Sequence, residues 1–247
     1  MKQNFKWIYL FWVALLFTNA ANAKYPEKTI KIIVPFTAGG ATDIAGRLLA
    51  DELSKALNNP VIVENREGAA GVIGVQATTK AAADGYTLLI AGNTLMTSHK
   101  ILYKNLPYDS LRDLETVSRI SAGSHIIVVK ANSNIQDMKD LLRLARAKPG
   151  SISYGSGGSG TSVHLAAEMF QVQAGVKLLH VPYRGTSLAV NGLMSGDTDL
   201  MFDTTPSAFP RIKSGQFRSF GITSSNRSPD LPDKQNQSQA RNFIQKF

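Results

Sequence analysis

The chain contains no cysteine. Disulfides, sulfur-ligated metal and lipid attachment through a cysteine are thereby excluded, and the fold must be held by its buried apolar surface alone. Histidine is scarce as well. His99, His125, His164 and His180 show no metal-ligand spacing, and capping or packing roles are expected of them, with neither a metal nor a cofactor. No apolar run is long enough to span a bilayer: the longest, WIYLFWVALLF, has eleven residues. Runs of five like charges are also missing. Lys and Arg are interleaved with acids, which argues for a solvated surface with a general attraction for small anions and against a nucleic-acid partner.

The apolar run follows MKQNFK, with two lysines and no acid, and precedes TNAANA, which offers Ala21 and Ala23 in the A-x-A arrangement. This pattern predicts a secretory leader over residues 1–23, cleaved before Lys24, and a periplasmic protein without stable membrane insertion. Two of the 27 basic residues lie in the leader, which leaves 25 against 18 acids in the remainder.

Beyond the leader, short β-branched runs alternate with helical patterns. TIKIIV, PVIVEN, YTLLIAG, HIIVVK, SISYG, VKLLHV and TDLMFD read as strands, several apolar at consecutive positions as strands buried on both faces should be. Between them, residues 42–57 place Ala45, Leu49, Leu53, Ala56 and Leu57 on one helical stripe, and 136–147 behave similarly until Lys148, Pro149 and Gly150. This alternation predicts an α/β protein of right-handed βαβ units with mainly parallel sheets. A polar, turn-rich break over residues 104–124 divides it into two lobes, 24–122 and 123–215.

Ligands of open α/β sheets bind beyond the carboxyl ends of the strands, where loops feed helix N-termini that suit anions. PFTAGGATD sits at such a place: Gly39 and Gly40 permit a tight turn and close approach, and Thr42 or Asp43 can cap the helix that follows. ENREGAAGVIG repeats the device after the second strand, and YGSGGSGTSVHL repeats it in the other lobe. Gly155, Gly157 and Gly160 match a dinucleotide spacing, but the next strand ends in HVPYRG with no acid for a ribose, and an exported protein has little access to nicotinamide cofactors. Ser156, Ser159 and Ser162 lie near His164, yet none occupies a G-x-S-x-G elbow, so a secreted serine-dependent hydrolase is the lesser alternative to a noncatalytic binding protein. Tyr183 and Arg184 stand at one strand end and Asp203 at the next, where Asp203 is either a helix cap or a cleft residue.

In order and spacing, YPEKTIKIIVPFTAGGATDIAGR, VIVENREGAAGVIG, ADGYTLLIAG, ISYGSGGSGTSVHLAAEMF, HVPYRGTSLAVNGLMSGDTDLMFD and SGQFRSFGITSSNRSPDLPD resemble the Bug family, the periplasmic solute receptors of tripartite tricarboxylate transporters. The resemblance implies a two-lobed periplasmic binding protein of type II-like architecture, a monomer with a cleft that closes on a small organic carboxylate and hands it to a membrane permease or a sensor. It also implies ligand contacts from Phe36, Gly39, Gly40 and Thr42 on the first lobe and from Ser156, Ser159, Gly160, Thr161 and Ser162 on the second. His164, Tyr183 and Asp203 would discriminate the far end of the ligand, while Arg184 braces its own loop. Residues 216–233 are expected to return toward the first lobe. After SPDLPD the resemblance stops: KQNQSQARNFIQKF, residues 234–247, is expected to lie outside the family pattern and to leave the first lobe short of elements, with apolar surface uncovered.

Overall fold

A computed structural model describes residues 25–224. The expected leader and the segment 234–247 lie outside the described residues.

In the first lobe, β1 (Ile30–Val34), α1 (Ala41–Leu57), β2 (Val61–Asn65), a 3-10 turn (Ala69–Gly71), α2 (Val72–Thr79), β3 (Thr87–Leu89) and the short α3 (Asn93–Met96) and α4 (His99–Leu102) follow one another. The strands make a three-stranded parallel sheet in the order β2-β1-β3. As the central strand, β1 buries four of its five residues, which explains its nearly continuous apolar sequence. Ile30, Ile32, Val34, Val61 and Ile90 pack with Ala50 of α1, whereas Val72, Val75, Leu95 and Tyr108 form a second cluster with Phe36 at its edge.

The face α1 turns to the sheet differs from the expected stripe. Asp43, Gly46 and Ala50 are its buried residues, Ala45, Leu49 and Leu53 flank them half-buried, and Leu57 is exposed. The helix lies so close to β1 that a Cβ built on Gly46 would stand 2.9 Å from Val34 Cγ2. Small residues therefore occupy the line of closest approach, which a search for large apolar side chains passes over.

The second lobe comprises β4 (His125–Lys130), α5 (Met138–Ala147), β5 (Ser153–Ser156), α6 (Ser162–Ala174), β6 (Leu179–Pro182), α7 (Thr186–Ser195), β7 (Leu200–Thr204), α8 (Thr205–Lys213) and β8 (Phe217–Ile222). Its sheet runs β6-β5-β7-β4-β8 around one core that extends from Ile126 to Ile222. β5 is parallel to β6 and β7, with helices α6 and α7 in the connections β5-α6-β6 and β6-α7-β7. β4 runs antiparallel to both β7 and β8, so this sheet is mixed.

β8 corrects the expected path for residues 217–222, while residues 225–233 of that expected return segment lie outside the described residues. Phe217–Ile222 do not leave for the first lobe but add an edge strand to the second-lobe sheet. Arg218 secures that edge by donating to the carbonyls of Ala131, Ser133 and Ile135. The two lobes are joined through residues 103–124, which contain no helix or strand.

Replacing Gly46 by Leu is expected to force α1 off β1 and to destabilise the protein by about 1–3 kcal/mol, the usual cost of overpacking. Urea melting of the two proteins side by side measures this, and equal midpoints would show that α1 is not seated as described.

Candidate functional site in the cleft between the lobes

A cavity of about 240 Å³ lies where the carboxyl ends of β1, β2, β5 and β6 face one another. Pro35 and Phe36 line it after β1, residues 67–71 after β2, Gly157 after β5, and residues 182–185 after β6. Each lobe thus contributes two strand-end loops, the position at which open parallel sheets take ligands.

The first loop is braced from beneath by a buried carboxylate. Gly40 is the N-cap of α1 and Asp43 lies in its first turn, from which Oδ2 reaches back to accept the Gly39 amide at 2.9 Å. Arg47 grips the same carboxylate with Nε and a terminal nitrogen, at 2.9 and 3.0 Å. Asn65 donates to it at 2.9 Å and to the carbonyl of Phe36 at 3.0 Å, which ties β2 to the loop. Burial alone would raise the Asp43 carboxyl, but Arg47, the Gly39 amide and Asn65 outweigh it and hold the group below the ordinary carboxylate range. Neither capping candidate bonds a free N–H of the helix itself; Asp43 instead takes the amide of Gly39 ahead of it, so the Gly39 N–H expected to meet a ligand is committed to Asp43. Gly39, Gly40 and Thr42 are absent from the cavity wall, which Phe36 does reach.

The loop after β2 supplies more of that wall, and its individual residues are not identifiable from sequence. Gly68, Ala69, Ala70 and Gly71 have φ of 125°, 46°, 53° and 100° in succession. Two alanines in the left-handed region cost on the order of 1–2 kcal/mol each, strain typical of functional loops. Alanine has no turn signature, so ENREGAAGVIG shows the device but not which residues turn.

In the second lobe, Ser156 is fully buried. Its Oγ lies 2.6 Å from His180 Nε2 and accepts the Gly158 amide at 3.1 Å. Thr161 caps α6 and donates to the Gly158 carbonyl at 2.8 Å. His164 accepts the Gly160 amide on Nδ1 and stacks on His180 at 4.3 Å. These side chains shape the loop from behind and do not face the cavity. Ser159 is exposed, and its carbonyl accepts from Tyr103 of the first lobe at 2.9 Å. Ser162 points elsewhere: its Oγ sits 3.1 Å from His125 Nε2 beside a separate, largely apolar cavity.

Tyr183 lines the cleft cavity as expected and packs so tightly over α7 that a Cβ on Gly192 would fall 2.2 Å from its hydroxyl. Arg184 also lines it, and no side-chain partner braces it among the described residues, contrary to its expected role. Asp203 is corrected outright. It is fully buried and outside the cavity wall, and it accepts the amide of Thr204 at the start of α8. Burial pushes its carboxyl up to about 6, against the opposing effects of Ser207, the Thr204 amide and Arg211. That is the helix-end alternative left open by the sequence.

Neither serine–histidine pair suits nucleophilic catalysis at this cavity. Ser156 is sealed from solvent, and its partner His180 is pushed down to about 4 by burial and by His164, which makes it a weak base. Among the described residues no cluster of three or more His, Asp or Glu is placed to hold a metal.

Two α/β lobes that present strand-end loops to a shared cavity define the fold of a periplasmic binding protein. The family model for the tripartite tricarboxylate transporter family receptor matches residues 45–246, and the chain belongs to that family. The match runs on through residue 246 and so takes in nearly all of the segment 234–247, which the sequence reading places outside the family pattern. Protein BugT of Bordetella pertussis is 36% identical over 84% of this chain and 64% of its own length. The chain thus spans under two thirds of that curated relative. Among solved structures, R. palustris Rpa4515 with adipate is 30% identical with a TM-score of 0.84, covering 87% of this chain and 72% of that one. MatC from Rhodopseudomonas palustris with bound malate is 25% identical with a TM-score of 0.82, covering 87% and 74%.

Ala70→Gly is expected to melt within about 1 kcal/mol of the parent, because relief of the left-handed strain offsets the added freedom of the unfolded chain. Ala70→Val should lose about 1–3 kcal/mol, since a β-branched residue resists that conformation. The reverse order in urea melts would contradict the loop geometry.

Proposed function

We propose that this protein is a noncatalytic extracytoplasmic receptor whose lobes close on a small carboxylate, with a dicarboxylate as the favoured class. The observation that carries the reading is the cleft cavity, walled by main-chain turns from both lobes, the first-lobe one strained at Ala69 and Ala70, and bearing Arg184 without an internal partner. At about 30 Å³ per water-sized group the cavity has room for about eight such groups, the scale of a short organic acid. Its wall is mostly main chain and apolar side chain, with Arg184 the cation and Glu67 the anion. Such a wall recognises a carboxylate by hydrogen bonding and shape more than by net charge. The solved relatives with adipate and malate support the ligand class. Family membership supports delivery to the permease of a tripartite tricarboxylate-type system, or to a sensor, from the periplasm. No described helix is long and apolar enough to cross a membrane. We place the ligand against Phe36 and Tyr183, with the Ser156–Ser162 loop positioning the second lobe.

A thermal-shift screen of mono- and dicarboxylates, amino acids and aromatic acids is expected to reveal saturable stabilisation by a dicarboxylate, about 2.7 kcal/mol at a hundredfold excess over Kd. The acid should be recovered unchanged. Gly185→Val should abolish the shift, because a Cβ there would stand 2.4 Å from Thr37 Oγ1 of the opposite lobe and hold the cleft open. Arg184→Gln should cost only about 1 kcal/mol of binding, as this side chain is exposed. Turnover of the acid, or full stabilisation of the Gly185 variant, would sink the receptor reading.

A further inference from the structure

The lobes also touch away from the cavity, and one side chain there is out of keeping with its surroundings. His99 of α4 has no solvent exposure, yet neither ring nitrogen has a hydrogen-bond partner that meets ordinary geometry. Its ring stacks obliquely on Tyr103 at 4.9 Å, and it meets the second lobe at Gly160. A Cβ built on Gly160 would lie 3.2 Å from His99 Nε2 and 3.1 Å from Leu102 Cδ1. Beside this contact the Tyr103 hydroxyl donates across the cleft to the Ser159 carbonyl at 2.9 Å. The tip of the second-lobe glycine loop is therefore clasped by α4 and Tyr103, while His164 holds the Gly160 amide from behind.

Because the contact spans two lobes, opening the cleft hydrates His99 and closing it strips that water away. A buried imidazole with no counter-charge, and only the Gly160 main chain to oppose its burial, favours the neutral form. We propose that His99 and Tyr103 are positioning residues for ligand capture, a latch that seats the first lobe on Ser159–Gly160 only when His99 is neutral, so that closure is coupled to release of its proton. This rests on the receptor reading above.

The groups around the latch do not supply a counter-charge. On its own lobe the neighbouring titratable groups are the hydroxyls of Tyr103 and Tyr108, the latter bonded to the Leu95 carbonyl, and Lys100, which is paired with Asp109. On the second lobe His164 stands behind Gly160, with His180 stacked on it and Glu168 at 3.8 Å from its Nε2. Burial lowers His99 from its ordinary value, opposed by the Gly160 main chain. Closure is thus at full strength above the ordinary imidazole value of about 6.5 and weakens as pH falls through it. The second carboxyl of a diacid titrates above the first, because the first charge disfavours the second, so some loss at pH 5.5 belongs to the ligand and the part that His99→Gln removes belongs to the latch.

Titration calorimetry with malate and adipate, at about pH 8, 6.5 and 5.5 and in two buffers of different protonation enthalpy, tests the latch. The parent should bind about tenfold more weakly at pH 5.5 than at pH 8 and release a fraction of a proton on binding near pH 6.5. His99→Gln should flatten the profile and abolish that release, whereas Tyr103→Phe should weaken binding at every pH and keep the slope. Histidine NMR of the parent needs no variant: one of the four imidazoles should titrate lower once the acid is bound. An unchanged slope in His99→Gln, a flat parent profile, or no ligand-dependent imidazole would each overturn the latch while the receptor reading stands. Failure of the parent to bind either acid at pH 8 would remove the receptor reading and the latch with it.

Discussion

Everything at this site depends on main chain from one lobe coming within contact distance of the other, which only residues lacking a side chain allow. Gly185 passes Thr37 so closely that no Cβ would fit, Gly158 meets Ala70, and Gly160 meets His99 and Leu102. Ser187 completes the approach by donating to the Ala38 carbonyl at 3.0 Å. A wall built from main chain at this range is stiff, because its shape is set by backbone angles and not by rotamers. Gly158, Gly160 and Gly185 therefore serve the approach of the lobes, whereas Gly68 and Gly71 make room for Ile73 and Leu95 of their own lobe.

Stiffness has to be supplied from outside the cavity, and the polar residues nearest the loops do that. The Asp43 carboxylate joins α1, β2 and the first loop through Arg47, Asn65 and Gly39. Ser156, Thr161, His164 and His180 do the same for the second lobe, with every bond directed at loop backbone or at one another. Such fully satisfied networks are strong where water is excluded, since each member would lose its partner at the cost of a buried polar group. The abundance of serine and histidine beside the glycines, which resembles nucleophilic chemistry in the sequence, is the scaffold of a rigid binding surface.

The legible and illegible parts divide along physical lines. Seven strands, the helices read over 42–57 and 136–147 and the glycine-rich loops at strand ends follow from apolar runs, period and glycine content, because those features are local. Tyr183 is singled out by its place at a strand end and Phe36 by the family resemblance, and both line the cavity. What failed was direction. Asp203 is at a strand end too, but it is fully buried and outside the cavity wall. Gly39 is in the loop, yet its amide is committed to Asp43. β8 was missed because FRSFGI is short, contains a glycine and an arginine, and is recruited only by the antiparallel edge of β4. The left-handed alanines leave no trace in composition at all.

This division also bears on selectivity. Arg184 is the cation in a wall that also contains Glu67, so the cavity carries little net charge. Long-range attraction for anions then falls to the general basic surplus of the chain, which brings many acids to the cleft without distinguishing them. On the proposed receptor reading, discrimination arises at closure, when a ligand of the wrong length holds Gly185 from Thr37 and Gly160 from His99. On the same proposed reading, affinity for an acid is the surplus of those lobe-to-lobe contacts over the strain of the Ala69–Ala70 turn, and the ligand is recognised by whether it permits the two main chains to meet.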